Sequence, residues 1–300
     1  QMAGTGYAKE RARVSLFLGA ITTAQGDFSA ATRFATESLS LYKEIEDYWG
    51  IAVSLNALAI TARDRGDYIA AQQNFEESLA CWRKVSDRVS TARCLHNLAD
   101  VAKIRGDYER ARFALLEAMQ IFEEIGDRSG AAWSLNQQGD IAREQGDLAA
   151  ARGIYQRALS CFRGASDHWG SARSLADLGS IACEQGDFSA AHEAYRKSLE
   201  MFAALEHRRG IARVLEGLAC VALGNGDAER ALSVAAAAGR LRQLISAPLP
   251  PADKLKLDEK LRGAWESVTE LQGKRAWAEG EAMALDVAIR YAFDTRRAAT

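Results

Sequence analysis

The stretch "REQGDLAAARG", residues 143–153, sets a Gly-Asp pair just before three consecutive alanines. Such a pair, flanked by charge, serves as a turn, as a phosphate-contacting loop or as part of a metal site. The rest of the chain decides. The pair returns at Gly26-Asp27, Gly66-Asp67, Gly106-Asp107, Gly186-Asp187 and Gly226-Asp227, always in steps of 40 residues, with no insertion or deletion. Six units at one period are a repeat array, and a feature present in every unit belongs to the architecture.

The columns around the pair say what the turn connects. Five residues after each glycine stands Ala31, Ala71, Ala111, Ala151, Ala191 or Ala231. Four before it come Thr22, Ala62, Ala102, Ala142, Ala182 and Ala222; seven before it come Gly19, Ala59, Ala99, Gly139, Gly179 and Ala219. Leu18, Leu58, Leu98, Gln138, Leu178 and Leu218 precede those, with Leu55, Leu95, Leu135, Leu175 and Leu215 three residues earlier. Offsets of three, four and seven are helical. Small residues at matched sites let two antiparallel helices approach closely. Gly146 then falls where helix A must stop, in a position that favours a left-handed residue. Asp147 caps helix B by accepting from its first-turn N–H groups. A second aspartate column (Asp47, Asp87, Asp127, Asp167) follows twenty residues later and is expected to cap the next helix A. Each repeat therefore reads as two helices of roughly 15 to 18 residues. An aromatic column, Tyr42, Trp82, Phe122, Phe162 and Phe202, ends helix B and is expected to pack between neighbouring repeats.

The pattern resembles the tetratricopeptide repeat, with "LGSIACEQGDFSAAHEAYRKSLEMF" (178–202) and "LAITARDRGDYIAAQQNFEESLACW" (58–82) carrying the likeness. Two departures stand out: the period is 40 where that family typically has about 34, and no proline ends helix B. HEAT and armadillo repeats approach 40 residues but lack these columns. The resemblance implies an all-α, right-handed α-solenoid of six helical hairpins over 7–245, in repeats 7–46, 47–86, 87–126, 127–166, 167–206 and 207–245. Residues 246–300 are then a helical C-terminal cap. The sixth repeat is atypical, with Ala235 in the column that holds Phe75, Tyr155 and Tyr195, as terminal repeats commonly are. "SAPLPP" (246–251) breaks the helix, Pro250 and Pro251 set the entry to the next, and Leu255, Leu257, Leu261 and Trp265 form its apolar set. One or two further short helices are expected to end near Phe293. The tail from "RLRQLISAPLPP" through "AWAEGEAMALDVAIRYA" resembles the segment that closes the repeat region of large bacterial signalling ATPases, whose effectors include LuxR-type, winged-helix and adenylate cyclase modules. That likeness implies a sensor or scaffold region of such a regulator. The chain begins near the start of a helix A, which fits a piece of a longer protein. Neither a G-x-x-x-x-G-K-[ST] motif nor a LuxR-type helix-turn-helix occurs in it.

Bulk properties narrow the function classes. A formal charge of −2 offers no basic field for nucleic acid. No apolar run approaches the length of a membrane span, and the N-terminal residues lack a signal-peptide core. Five cysteines, none in a C-x-x-C, fit a reducing, cytoplasmic setting. Cys81 and Cys161, just before aromatic-column residues, are expected in the core, whereas Cys183 and Cys220 lie on neighbouring A helices and could approach each other. "HEAYRK" at 192 starts like a zinc-protease motif but has Arg196 where the second histidine belongs. His168 and His207 fall in inter-repeat loops, where solvated histidines are ordinary. With no nucleophile elbow either, the sequence is expected to encode no enzyme and to need no metal or cofactor.

A surface remains. By the resemblance, helix A lines a concave groove that takes a protein or peptide. Its inward residues are Asn56 and Arg63; Arg93, His96, Asp100 and Lys103; Trp133, Asn136, Asp140 and Arg143; and Arg173. Trp133 stands out because its five repeat equivalents are Arg or Val. The competing reading is a solvated face whose charges pair along each helix, Asp100 with Lys103 for example. Two roles follow: the interaction region of a bacterial signal-transduction or transcription regulator, or a free-standing peptide receptor or adaptor.

Overall fold

The computed structural model describes residues 2–249 and 251–293, and these form fifteen α-helices with no strand among the described residues. Helix A and helix B of the successive repeats are α1 (Met2–Ala24) and α2 (Phe28–Glu44), α3 (Tyr48–Asp64) and α4 (Tyr68–Lys84), and α5 (Arg88–Ile104) and α6 (Tyr108–Glu124). They continue as α7 (Arg128–Glu144) and α8 (Leu148–Gly164), α9 (His168–Glu184) and α10 (Phe188–Ala204), and α11 (Arg208–Gly224) and α12 (Ala228–Leu244). The tail forms α13 (Pro251–Glu266), α14 (Glu270–Ala282) and α15 (Leu285–Phe293); Pro250 lies outside the described residues. The chain divides into two compact units, 1–141 and 142–300.

Every helix from α2 to α12 has 17 residues, and three-residue connections join them. The same turn closes both the hairpin and the join between repeats. After α7, Gly146 takes φ 82°. Its N–H donates to the Arg143 carbonyl at 3.0 Å, and the Asp147 N–H donates to the Ala142 carbonyl at 2.9 Å. This is the Schellman arrangement, in which two otherwise unpaired carbonyls are satisfied by a left-handed residue and its successor. The Asp147 carboxylate then accepts from the Ala150 N–H at 2.9 Å and starts α8. Gly66, Gly106 and Gly186 have φ of 86°, 77° and 76°.

Between repeats the geometry is the same but the residue is not. Glu46, Ser86, Ser166 and Glu206 hold φ between 51° and 57°, and only Gly126 is a glycine there. Ser166 N–H still reaches the Arg163 carbonyl at 3.1 Å, and Asp167 N–H the Phe162 carbonyl at 2.9 Å. An L-residue in this region costs about 1–2 kcal/mol, so these joins carry local strain that the capping aspartates and the packing offset. Asp47, Asp87, Asp127 and Asp167 all accept from a backbone N–H three residues on, at 2.7–3.0 Å.

Packing follows the columns. Ala71, Ala111, Ala151 and Ala191 are fully buried, as are Leu55, Leu95, Leu135, Leu175 and Leu215 close to it. The aromatic column is buried throughout. In the second unit α13, α14 and α15 lie against α12. Gly280 of α14 is so close that a Cβ there would fall 2.1 Å from the Ser233 carbonyl oxygen. One expectation fails: Cys161 is exposed. It precedes Phe162 by one residue, which turns it about 100° away from the buried ring. Cys81, in the same column, is half-buried.

His207 is also not a solvated loop residue. It takes the place of the capping aspartate, and its Nδ1 accepts from the Gly210 N–H at 3.0 Å. Phe202 stacks on the ring, with centroids 5.3 Å apart. The Trp169 indole Nε1 lies 3.2 Å from Nε2. A neutral imidazole has only one acceptor nitrogen. The cap fixes this as Nδ1, so the indole meets His207 edge-on without a hydrogen bond. Burial, together with Arg209, holds the His207 pKa below its ordinary value.

Gly146→Val should lower stability by about 1–2 kcal/mol. Ser166→Gly should raise it by about 0.5 kcal/mol, because relief of the left-handed strain exceeds the entropy that glycine adds to the unfolded chain. Denaturant titration of both variants checks the opposite signs. For His207, a depressed pKa means that folding selects the neutral ring. Its contribution is full above the unfolded value of about 6.5 and is lost as pH falls through the folded value. Parent and His207→Asp should therefore diverge in melting temperature between about pH 7.5 and about pH 5, the aspartate variant holding its cap. Parallel curves would contradict the cap.

Candidate binding face of the A helices

The repeated caps start the A helices from α3 to α11 at the same phase, so within each unit equivalent residues recur on one face. In the unit formed by residues 1–141, that face is largely cross-linked by charge. Arg63 pairs with Asp64 at 3.0 Å. Lys103 sits between Asp100, at 3.4 Å on its own helix, and Asp140, at 3.6 Å on the next. The expected Asp100–Lys103 pair is thus present and extended across one repeat. Asn56 is half-buried, and Asn136 is buried at 1% exposure, so its amide is not offered to solvent.

One place on the face is open. Arg93, His96, Asn97, Phe122, Ser129 and Trp133 line a cavity of about 480 Å³. Its floor is the Phe122 ring, which packs on the bare Gly130 backbone at the start of α7. Among the described residues, no ion pair engages the exposed Arg93 guanidinium. The His96 Nδ1 is buried without a hydrogen-bond partner, and burial pushes its pKa below the usual histidine value. At neutral pH a neutral imidazole, a guanidinium and the Asn97 amide therefore converge beside a half-buried tryptophan.

In the unit formed by residues 142–300, the equivalent residues are bound to one another. Arg143 donates from Nε to both carboxylate oxygens of Glu184, at 3.1 and 3.3 Å. Lys260 of the tail approaches the same carboxylate at 3.9 Å. Arg173 Nε donates to Asp177 at 2.9 Å, and Arg213, one repeat later, reaches the other oxygen of that carboxylate. The Asp177 side chain is fully buried. Glu216 is held by both Nε and Nη2 of Arg242. Asp177, Glu184, Arg213 and Glu216 were missed by sequence reasoning. The available signal was the four-residue spacing of Arg173 and Asp177, with Arg213 in the same column as Arg173. Burial pushes the Cys183 thiol up to about 11, with Cys220 adding to the rise, and burial raises Cys220 as well. Both are protonated thiols at neutral pH, poorly suited to nucleophilic chemistry.

No group of three or more metal-ligating side chains occurs among the described residues. No described helix is long and apolar enough to cross a membrane.

Comparison with known proteins agrees with the architecture. The solved structure of a Rap protein complexed with Competence and Sporulation Factor superposes with a TM-score of 0.66 at 17% identity, covering 94% of this chain and 76% of that one. Aspartyl phosphate phosphatase F from Bacillus subtilis gives 0.68 at 13% identity, covering 90% and 73%. The apo form of RapI gives 0.61 at 16% identity, covering 88% and 99%. At these identities the likeness is one of fold. None of the curated proteins matches the chain. The tetratricopeptide repeat family model matches residues 50–124 and 130–204, together half of the 300 residues. With the Gly-Asp turns, buried alanine columns and capped 17-residue helices all in register with that match, the chain belongs to the tetratricopeptide-repeat family.

Proposed function

We propose that this protein is a non-catalytic protein-interaction module whose A-helix face binds a protein segment or peptide at Trp133. The observation that carries this reading is the contrast within the face. Arg63 and Lys103 have carboxylate partners, whereas Arg93, His96 and Asn97 bring unengaged polar groups to the cavity that Trp133 lines. A buried donor or acceptor left unpaired costs about 1–3 kcal/mol, which a bound polar segment recovers. The tryptophan adds the kind of aromatic anchor that dominates recognition sites. Membership of a repeat family that presents such faces supports the same reading. The resemblance of the tail to the segment closing bacterial signalling ATPases supports a place in a signal-transduction or transcription regulator, in the cytoplasm. The alternative, a free-standing peptide receptor or adaptor, draws support from the Rap protein solved with Competence and Sporulation Factor, whose fold extends over 94% of this chain.

The test is a quantitative pull-down from the native host with the parent and Trp133→Ala/Arg93→Ala, each checked for unchanged melting. The variant should recover the parent's specific partners at least about tenfold less well, since an aromatic hot spot contributes about 2 kcal/mol or more. Equal recovery by a folded variant would place binding elsewhere.

A further inference from the structure

The tail carries a second cavity, of about 350 Å³, between α13 and α14 and within the second unit. Trp265 and Trp277 line it together with Asp258, Glu259, Glu266 and Arg262. The apolar set expected on α13 is split: Leu261 is buried, but Trp265 keeps 38% of its surface exposed. Trp265 is nevertheless held in place. Its ring occupies the space where a Cβ on Gly273 would stand, 2.7 Å away. Its centroid is 5.8 Å from that of Trp277, with the planes tilted by 34°. Trp277 is fixed in turn by its Nε1, which donates to Glu281 at 3.1 Å.

Charge around the cavity is one-sided. Three carboxylates line it against one guanidinium. Among the described residues, none of Asp258, Glu259, Glu266 and Arg262 has a hydrogen bond or ion pair, although Asp258, Arg262 and Glu266 stand four residues apart. Lys254, Lys256 and Lys260 balance the charge of α13 as a helix but do not line the cavity. Rings this close leave no gap for a cation between them, so they form one wall and the carboxylates the rest. An indole face attracts a cation through its quadrupole, most strongly for tryptophan. A guanidinium also stacks flat on the ring while its N–H groups reach carboxylates in a fixed fork. We infer that this cavity is a docking site for an arginine side chain on a basic segment of a protein partner. It is separate from the face around Trp133 and does not depend on the reading given for that face.

The probe is a fluorescein-labelled peptide of three Gly-Ser-Arg units, titrated into the full chain at physiological salt and followed by anisotropy. Glu259→Gln/Glu266→Gln should weaken binding about tenfold and Trp265→Leu about fivefold, through loss of charge and of the cation–π contact respectively. Glu193→Gln/Glu200→Gln on α10, an equal change of charge away from the cavity, should shift it less than about twofold. The matching Gly-Ser-Glu peptide should not bind. The inference is overturned if the arginine peptide does not bind. It is equally overturned if the α10 variant weakens binding as much as the α13 variant, or if Trp265→Leu leaves binding unchanged. Displacement of the peptide by tetramethylammonium at comparable affinity would also overturn it, making the site one for small cations. The glutamine variants change only exposed side chains, so the test survives any effect of Trp265→Leu on the fold.

Discussion

The aromatic ring that ends the B helices from α2 to α10 fills, at four of the five joins, the space a side chain would need in the first turn of the next A helix. An added Cβ on Gly50 would lie 2.1 Å from the Tyr42 ring, and on Gly130, Gly170 and Gly210 it would lie 2.3–2.5 Å from Phe122, Phe162 and Phe202. A ring against bare backbone sets both the distance and the rotation at which the new helix begins. The aspartate three residues earlier then fixes its first hydrogen bond. At Gly210 that role falls to His207, a cap that, unlike aspartate, loses its acceptor on protonation. Within each unit helix phase is inherited from join to join in this way, and with it the direction in which residues such as Arg93 and Trp133 point. The third repeat departs, with Ser90 in the glycine column. There the ring is Trp82, which meets Trp49 edge-on at 6.0 Å.

On that common scaffold the two units use the same columns differently. Around Asp177 and Glu184, each carboxylate is shared between two cations from different helices, and little polar capacity is left over. A fully buried carboxylate is tolerable only with such partners. Around Arg93 and His96 the capacity is left open, and Phe122 of the join forms the floor beneath it. A single physical device, the ring at the join, therefore serves packing in one place and the wall of a candidate binding site in another.

What was legible in the sequence is what the strict period repeats. The Gly-Asp turns, the alanine columns and the capping aspartates recur without insertion, so register and helix length could be read from spacing alone. The second turn was less visible because Ser166 and Glu206 hold a left-handed conformation normally signalled by glycine. Conversely, Gly170 and Gly210 sit in ordinary helix, and their meaning is close approach, which spacing does not announce. The candidate face was only partly readable. Columns named Arg93, Lys103 and Arg173 alike, but whether each is paired depends on the carboxylates its own helix and the next A helix present: Arg173 has Asp177 four residues on, where Arg93 has Asn97. Asn136 looked like its column mates and is buried, while His207 looked like a loop histidine and caps a helix.

The dependence of the fold on the ring at the join can be measured with a double-mutant cycle on Gly170 and Phe162. Gly170→Ala should cost about 1–3 kcal/mol through overpacking, and Phe162→Leu about 1–2 kcal/mol through lost volume. If the ring defines the join, the smaller side chain makes room for the new methyl group. The double variant is then less destabilised than the sum of the single ones by at least about 1 kcal/mol. Strict additivity in urea unfolding would mean that the ring and the glycine do not act on each other, and the inheritance of helix phase would need another cause.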